Sequence, residues 1–289
     1  MILVYQMAKV GSRSWVEAAK PAAGSDAQPL HCHYIVPANR ARIQAVFSRP
    51  ADYQTIANML LPRNLLRVGA SVWDQVATAR QQRQPIRVVC GTRDPVARSI
   101  SLIMFMADFY GHTTRPFGPR AAMTAGTVID SLREVWRMVL ERREPSETFE
   151  WLLWYLIDGF RDWFQDELGA AFDVDILLTP FHLDRSSQRV STAGADILVY
   201  RVEDMHPGAA GYPALLTSAG DFLGTAVPGL PRINTSTTRR SHALSNEVRQ
   251  RFSLPGEMLD AIYSQPMVRH FYRTEEIRQF IRCWSAKAG

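Results

Sequence analysis

Lys9, Val10, Gly11, Ser12, Arg13 and Ser14 bring two cations, two hydroxyls and a glycine into six consecutive positions. Four apolar residues precede them, Ile2-Leu3-Val4-Tyr5, which read as a short buried strand. An apolar run comes after them, Trp15-Val16 with Ala18-Ala19, which suits a helix. A strand that turns tightly into a helix aims unbonded N–H groups at one point, and the helix dipole adds positive potential there. The chemistry this supports is capture of an anion. Gly11 lets the backbone approach, the serines add donors, and Lys9 and Arg13 add charge. The plain alternative is an ordinary strand–loop–helix connection with surface charges. The turn is not a Walker A, where lysine follows the glycines; here Lys9 precedes Gly11.

A second anchor lies after Ile86–Cys90, the third expected strand. Asp94-Pro95 reads as N-cap and N1 of a helix running to about Tyr110. Ser101 then lies two turns up on the same face as Asp94, roughly 10 Å along the axis. One compact anion could touch both the Arg93 guanidinium and the Ser101 hydroxyl. The plain alternative is a helix cap beside a surface arginine.

The third cluster is His31-Cys32-His33, in an expected second strand Leu30–Val36. On a strand the two histidines point to one face and Cys32 to the other, which disfavours a shared metal. A histidine at the carboxyl edge of a sheet is a natural general base, and Glu17 and Glu203 are fallback carboxylates. Glu203-Asp204 comes after an apolar strand as a Walker B carboxylate would, but no Walker A accompanies it. Trp151, Trp154 and Tyr155 share one face of an aromatic helix and read as core.

These residues need a scaffold. Further strands are expected at Val174–Leu178 and Ile197–Val202. Helices are expected at Asn39–Phe47, Tyr53–Leu61, Trp73–Arg80, Ala121–Arg142, Ser146–Leu168, Ala243–Tyr263 and Glu275–Trp284. Loops are expected at Pro21–Gln28 and Gly111–Pro119, and Gly208–Pro231 is rich in Gly and Pro. Strands separated by helices imply a three-layer α/β fold, a mainly parallel sheet with helices on both faces. No linker divides the chain, so residues 1–289 are expected to form one domain.

The chain has 289 residues, 46% apolar, with a net charge of +5 supplied mostly by arginine, which fits an anionic ligand. The charge is not in blocks, so no nucleic-acid-binding arm is expected. No apolar run approaches the length of a membrane span, and no basic leader precedes the first strand. Three widely spaced cysteines fit a reducing compartment. A cytoplasmic location without an integral membrane segment is the expectation.

Lys-x-Gly-Ser directly after the first strand resembles the 5′-phosphosulfate loop of sulfotransferases that use 3′-phosphoadenosine 5′-phosphosulfate (PAPS). The run Tyr5–Ser12, YQMAKVGS, resembles a bacterial branch described as capsular polysaccharide synthesis proteins. Ala8 stands where that branch usually has Gly, and Arg13 where it has Ser or Thr. Arg93 and Ser101 resemble the family's 3′-phosphate motif. The likeness continues through Ile197–Met205 (ILVYRVEDM), Phe252–Tyr263 and His270–Trp284. After Asn234-Thr235-Ser236 the branch's usual Lys-Trp-Tyr-Ser is absent. Arg239 and Arg240 stand nearby, where basic residues of the wider family meet the 3′-phosphate. His-x-His on the second strand is similar to the polysaccharide 2-O-sulfotransferases, whose second histidine is the base.

The resemblance implies a P-loop-NTPase-like sulfotransferase fold. It implies in-line transfer of a sulfuryl group from PAPS to a hydroxyl, with release of 3′-phosphoadenosine 5′-phosphate and no metal required. The acceptor would be a small molecule or glycan, with a carbohydrate favoured. His33 would be the base with His31 in support, and Lys9 would neutralise the leaving group. Two other readings stand beside it: a P-loop-type kinase, and a nucleotide- or glycan-binding protein without catalysis.

Overall fold

The computed structural model describes residues 1–24, 27–47, 60–110, 124–146, 148–231 and 242–286. In chain order its elements are β1 (Ile2–Tyr5), α1 (Ser12–Ala23), β2 (Leu30–Cys32), α2 (Pro37–Phe47), α3 (Leu60–Gln81), β3 (Arg87–Thr92), α4 (Pro95–Tyr110), α5 (Ala125–Leu140), α6 (Thr148–Trp163), β4 (Ser187–Ser191), β5 (Asp196–Arg201), α7 (Tyr212–Leu223), α8 (His242–Arg251), α9 (Gly256–Tyr263), α10 (Pro266–Phe271) and α11 (Thr274–Trp284). A π-helical segment, Phe164–Gly169, continues α6 and passes into a last helical turn, Ala170–Phe172. Among the described residues no helix is long and apolar enough to cross a membrane. The chain divides into two compact units, Met1–Arg93 with Asp162–Ile233, and Asp94–Arg161 with Asn234–Gly289.

The first unit is α/β. Its sheet has the order β2-β1-β3-β5-β4, parallel except for β4, which runs antiparallel to β5. Strands β1, β3 and β5 are apolar at successive positions because both faces are covered. Ile2, Val4, Val89, Leu198 and Tyr200 form one face, packed by Trp15 and Ala19 of α1 and by Leu215, Ala219 and Phe222 of α7. On the other face, the Tyr5 ring meets Trp163 at 4.9 Å and Phe172 at 6.2 Å. Helices therefore lie on both faces, as the alternation of strands and helices implies.

Several elements differ from the sequence expectation. The second strand stops at Cys32 and does not run to Val36. Beyond it, the N–H groups of Ile35 and Val36 donate to the Glu167 carboxylate and not to a neighbouring strand. Val174–Leu178 is not a strand either. Asp173 adopts a left-handed conformation, and the Asp175 side chain accepts from Leu177 N, starting a 3-10 turn at Ile176–Leu178. The fourth strand is instead Ser187–Ser191, whose buried Ser187 and Gln188 carry no apolar run. The helix α1 continues through Pro21 to Ala23, where a loop is expected, and α7 forms inside the Gly- and Pro-rich stretch. Pro255 divides Ala243–Tyr263 into α8 and α9. Most of Tyr53–Leu61 and all of Gly111–Pro119 lie outside the described residues.

The second unit is helical. Helix α4 packs against α5 and α8, and α9 packs against α5, α10 and α11. Its organising group is Asp94, 3% exposed, which caps α4 as its sequence position predicts. Asp94 Oδ1 accepts from Val96 N at 3.1 Å and Tyr263 OH at 2.6 Å; Oδ2 accepts from Ala97 N at 3.4 Å and Trp284 Nε1 at 2.8 Å. One buried carboxylate thus ties α4 to α9 and α11. Burial, and next the Asp94 charge, push the Tyr263 phenol far above its ordinary value, so it remains a donor.

Asp94→Asn is nearly isosteric but puts an NH2 group where N–H and O–H donors already converge. It is expected to cost about 1–3 kcal/mol, the scale of a buried polar group left unmatched. Denaturant unfolding, read on the tryptophans, checks this; a variant as stable as the wild type would remove Asp94 from its organising position.

Candidate functional site

The site candidates of the first unit meet at the carboxyl edge of its sheet. Strand β1 has β2 on one side and β3 on the other, so the chain leaves it in opposite directions. In open α/β sheets the crevice at such a reversal is where ligands bind. The connection Gln6–Gly11 opens there, and Arg93 comes directly after β3 at the same edge.

The turn from β1 into α1 is shaped by its backbone. Lys9 has φ 69° and Gly11 has φ 86°, both left-handed. Glycine adopts that conformation freely, whereas for Lys9 it costs on the order of 1 kcal/mol and must be held from outside. Two groups hold it. Arg93 Nη1 donates to the Lys9 carbonyl at 3.2 Å, and the Tyr200 hydroxyl hydrogen-bonds the next carbonyl, that of Val10. The same hydroxyl lies 2.7 Å from Gln6 Oε1 and shares its one proton between these acceptors. In a trans peptide the C=O and N–H point opposite ways. With the Lys9 and Val10 carbonyls drawn toward Arg93 and Tyr200, the N–H groups of Val10 and Gly11 point the other way. They join the N–H groups of Ser12 and Arg13, which open the first turn of α1; the Ser14 N–H is already given to the Gly11 carbonyl at 3.1 Å. No acidic side chain lies in that first turn to satisfy them. Such a turn can serve as an anion cradle, with the helix dipole behind it.

Tyr200 reaches the turn because position 91 is glycine. Gly91 is its register partner, and a Cβ there would lie 2.5 Å from Tyr200 Cζ. The Met205 thioether fills the space beside Gly11, where a Cβ would meet Sδ at 2.7 Å. Burial raises the Tyr200 phenol well above its ordinary value, so it stays protonated as a donor. Of the turn's side chains, Ser14 is buried, Lys9 and Ser12 are half-buried and Arg13 is exposed.

His31 and His33 stand beside this cradle. Their rings meet edge to face, 4.7 Å between centroids. His33 sits one residue past the end of β2 and is fixed at three points. Its Nδ1 lies 2.6 Å from the Gln6 carbonyl, which can only accept, so Nδ1 carries the proton and Nε2 keeps its lone pair. The His33 carbonyl accepts from Trp163 Nε1 at 3.0 Å. The turn beyond His33 is held by Glu167, 1% exposed, in the π-helical segment. Its Oε2 accepts from Ile35 N at 3.0 Å, Val36 N at 3.2 Å and the Tyr5 hydroxyl, and its Oε1 from Asn39 Nδ2 at 2.8 Å. Burial raises the Glu167 carboxyl above the usual carboxylate value, and these donors offset part of the rise.

Both histidines are shifted toward the neutral form. Burial lowers His31 to about 3, with His33 and the Arg13 charge adding to the effect. Burial also lowers His33; the Gln6 carbonyl opposes this, and the Lys9 charge reinforces it. Lys9 is therefore electrostatically close to His33, and Arg13 to His31. Two cations beside two neutral imidazoles favour an anion over a metal ion. The arrangement can bind a negatively charged group and take up a proton next to it.

The remaining candidates fall elsewhere. Arg93 belongs to the first unit, and Ser101, half-buried on α4, to the second. Arg239 and Arg240 lie outside the described residues. Glu17 is exposed and pairs with Lys20. Asp204 is buried against Arg201 in a two-pronged ion pair at 2.7 and 3.0 Å. Trp151 and Trp154 are buried in the second unit. Sequence reading missed Gln6, Tyr200, Trp163 and Glu167. The only local signal was a carboxylate within the most aromatic stretch of the chain. A cleft of about 1070 Å³ also opens in the first unit, lined by Met1, Ile2, Leu30, Asp74 and Arg87 among others. It lies at the amino ends of the strands, away from the Lys9 turn.

A histidine whose folded value is depressed contributes stability above its unfolded value, and that stability is lost as pH falls. His31 is expected to make the fold less stable as pH drops from 6.5 toward about 3. His31→Gln cannot titrate and should flatten that slope by up to about 1.4 kcal/mol per pH unit. Urea unfolding of both proteins across this range checks it; parallel slopes would mean that His31 is not buried neutral. Compared with protein-family models, with curated proteins and with solved structures, the chain matches none.

Proposed function

We propose that the protein is a PAPS-dependent sulfotransferase that moves a sulfuryl group to a hydroxyl, with a carbohydrate the favoured acceptor. The observation that carries this reading is one juxtaposition. A lysine-bearing anion cradle and a histidine with a free Nε2 share the carboxyl edge of the sheet. The cradle fits a phosphosulfate: it offers N–H donors and cations and no opposing carboxylate in its first turn. Its Lys-x-Gly-Ser sequence supports the family, and the described sheet is compatible with a P-loop-like sulfotransferase fold.

When bound, the donor supplies an activated sulfur with a phosphate leaving group. The chain's own part is then limited. The Val10 and Gly11 N–H groups and the first turn of α1 hold the 5′ end. Lys9 neutralises charge on the departing oxygen, and Arg13 adds positive potential at the outer rim. His33 Nε2 takes the acceptor's proton as its oxygen forms the new bond to sulfur. The resemblance assigns Arg93 and Ser101, with Arg239 and Arg240, to the 3′-phosphate. Arg93 spends one N–H on Lys9 O and keeps four for a ligand. The sulfuryl group carries less charge than a phosphoryl group, so the reading needs no metal.

3′-Phosphoadenosine 5′-phosphate is expected to raise the melting temperature far more than AMP or ATP at equal concentration. At 100 times its Kd a ligand adds about 2.7 kcal/mol by mass action. Equal shifts from the three nucleotides would contradict the 3′-phosphate assignment.

His33→Asn keeps a donor for the Gln6 carbonyl but removes Nε2. It is expected to lose roughly 10²–10⁴-fold in turnover, the range of a general base, with nucleotide affinity unchanged. Lys9→Ala is expected to lose both. Steady-state kinetics with PAPS, paired with calorimetric titration of the nucleotide, separates the two; a His33→Asn enzyme at full turnover would move the base elsewhere.

A further inference from the structure

We infer that Glu167 and Trp163 are positioning residues for His33: from the π-helical segment they clamp the turn after β2 so that His33 holds its proton on Nδ1 and presents Nε2 to the crevice. This deepens the sulfotransferase reading by saying how its base is set.

Trp163 and Glu167 are four residues apart, across the point where α6 becomes π-helical. A π turn holds one more residue than an α turn and changes which side chains share a face. Here both side chains reach residues 33–39. Trp163 donates to the His33 carbonyl, and Glu167 collects Ile35 N, Val36 N and Asn39 Nδ2. Glu167 also accepts from the Tyr5 hydroxyl at the end of β1. The turn carrying His33 is thereby tied to the strand that leads into the anion cradle.

The other half of the constraint is the 2.6 Å contact of His33 Nδ1 with the Gln6 carbonyl. Gln6 is the first residue of the cradle's own loop, and its side chain is held by Tyr200. The loop that would hold the donor thus also orients the base. If the turn at 33–36 were loose, Nδ1 would leave the Gln6 carbonyl, and the imidazole could rotate or exchange its proton to Nε2. An Nε2–H imidazole cannot accept the acceptor's proton from that nitrogen. A carboxylate at 167 is required because all its partners are donors; an amide would face at least one of them with N–H.

The test reads the tautomer directly. Long-range 15N–1H correlation spectra of the full chain at pH 7.5 report which imidazole nitrogen is protonated, with His33 assigned by its loss in His33→Asn. The wild type is expected to show a protonated Nδ1 and an unprotonated Nε2, whether or not sulfuryl transfer is ever detected. Glu167→Gln and Trp163→Phe are each expected to give a mixture of tautomers with the backbone spectrum of the sheet preserved. Each should also lower turnover with PAPS by roughly ten- to a hundredfold, the cost of a misplaced group, without weakening nucleotide binding. Should Glu167→Gln not fold, Trp163→Phe, which removes the indole N–H together with part of the ring, decides alone. A wild-type Nε2–H tautomer, or a folded variant with His33 resonances unchanged, would overturn the clamp. The expected tautomer in a protein without transfer activity would uphold the clamp and refute the enzyme reading.

Discussion

The hydrogen bond from Tyr200 to the Val10 carbonyl is the contact on which the candidate site depends. It draws one peptide of the β1–α1 turn inward, and Arg93 does the same for the peptide before it. Only with both carbonyls taken do the N–H groups turn outward and Lys9 remain left-handed. The contact itself has a condition. Tyr200 can reach the turn only because Gly91, its partner across β3 and β5, has no side chain. A glycine within a strand, usually a weakness, here makes room for the ring that shapes the cradle.

A second constraint acts on the neighbouring strand. Strand β2 is three residues long, and the turn at Ile35–Val36 is organised by a carboxylate instead of by sheet pairing. Glu167 lies deeply buried, which is costly for a charge, and is made tolerable by a ring of donors. The cost has a return in geometry: His33 is fixed through its carbonyl, its Nδ1 and the turn beyond it. Burial beside Lys9 and Arg13 keeps the two imidazoles neutral near physiological pH. A base must be neutral to act, so the features that make the site expensive to fold also suit it to accept a proton.

Much of the local structure was legible in the chain. Ile2–Tyr5 is a strand where four apolar residues predict one, and Asp94-Pro95 caps a helix as that pair should. The Lys9–Ser14 turn and the paired histidines stood out because each is a short run with unusual chemistry. The hidden features are those that depend on distant partners. Glu167 meets Tyr5 across 162 residues and Tyr200 meets Gln6 across 194, and no periodicity carries such pairings. Strand β4 carries no apolar signal because its buried positions are Ser187 and Gln188, and the apolar run of Val174–Leu178 is not a strand because the Asp175 side chain caps a 3-10 turn within it. The early end of β2 could not be foreseen without Glu167.

The central claim is that the turn at Lys9–Ser14, and not the cleft at the amino ends of the strands, receives the nucleotide. Titration of 3′-phosphoadenosine 5′-phosphate into 15N-labelled protein tests it residue by residue. The largest early shifts are predicted at the amides of Val10–Ser14 and at the His33 imidazole. Shifts confined to the cleft around Met1, Asp74 and Arg87, or none at all, would contradict the assignment of the site.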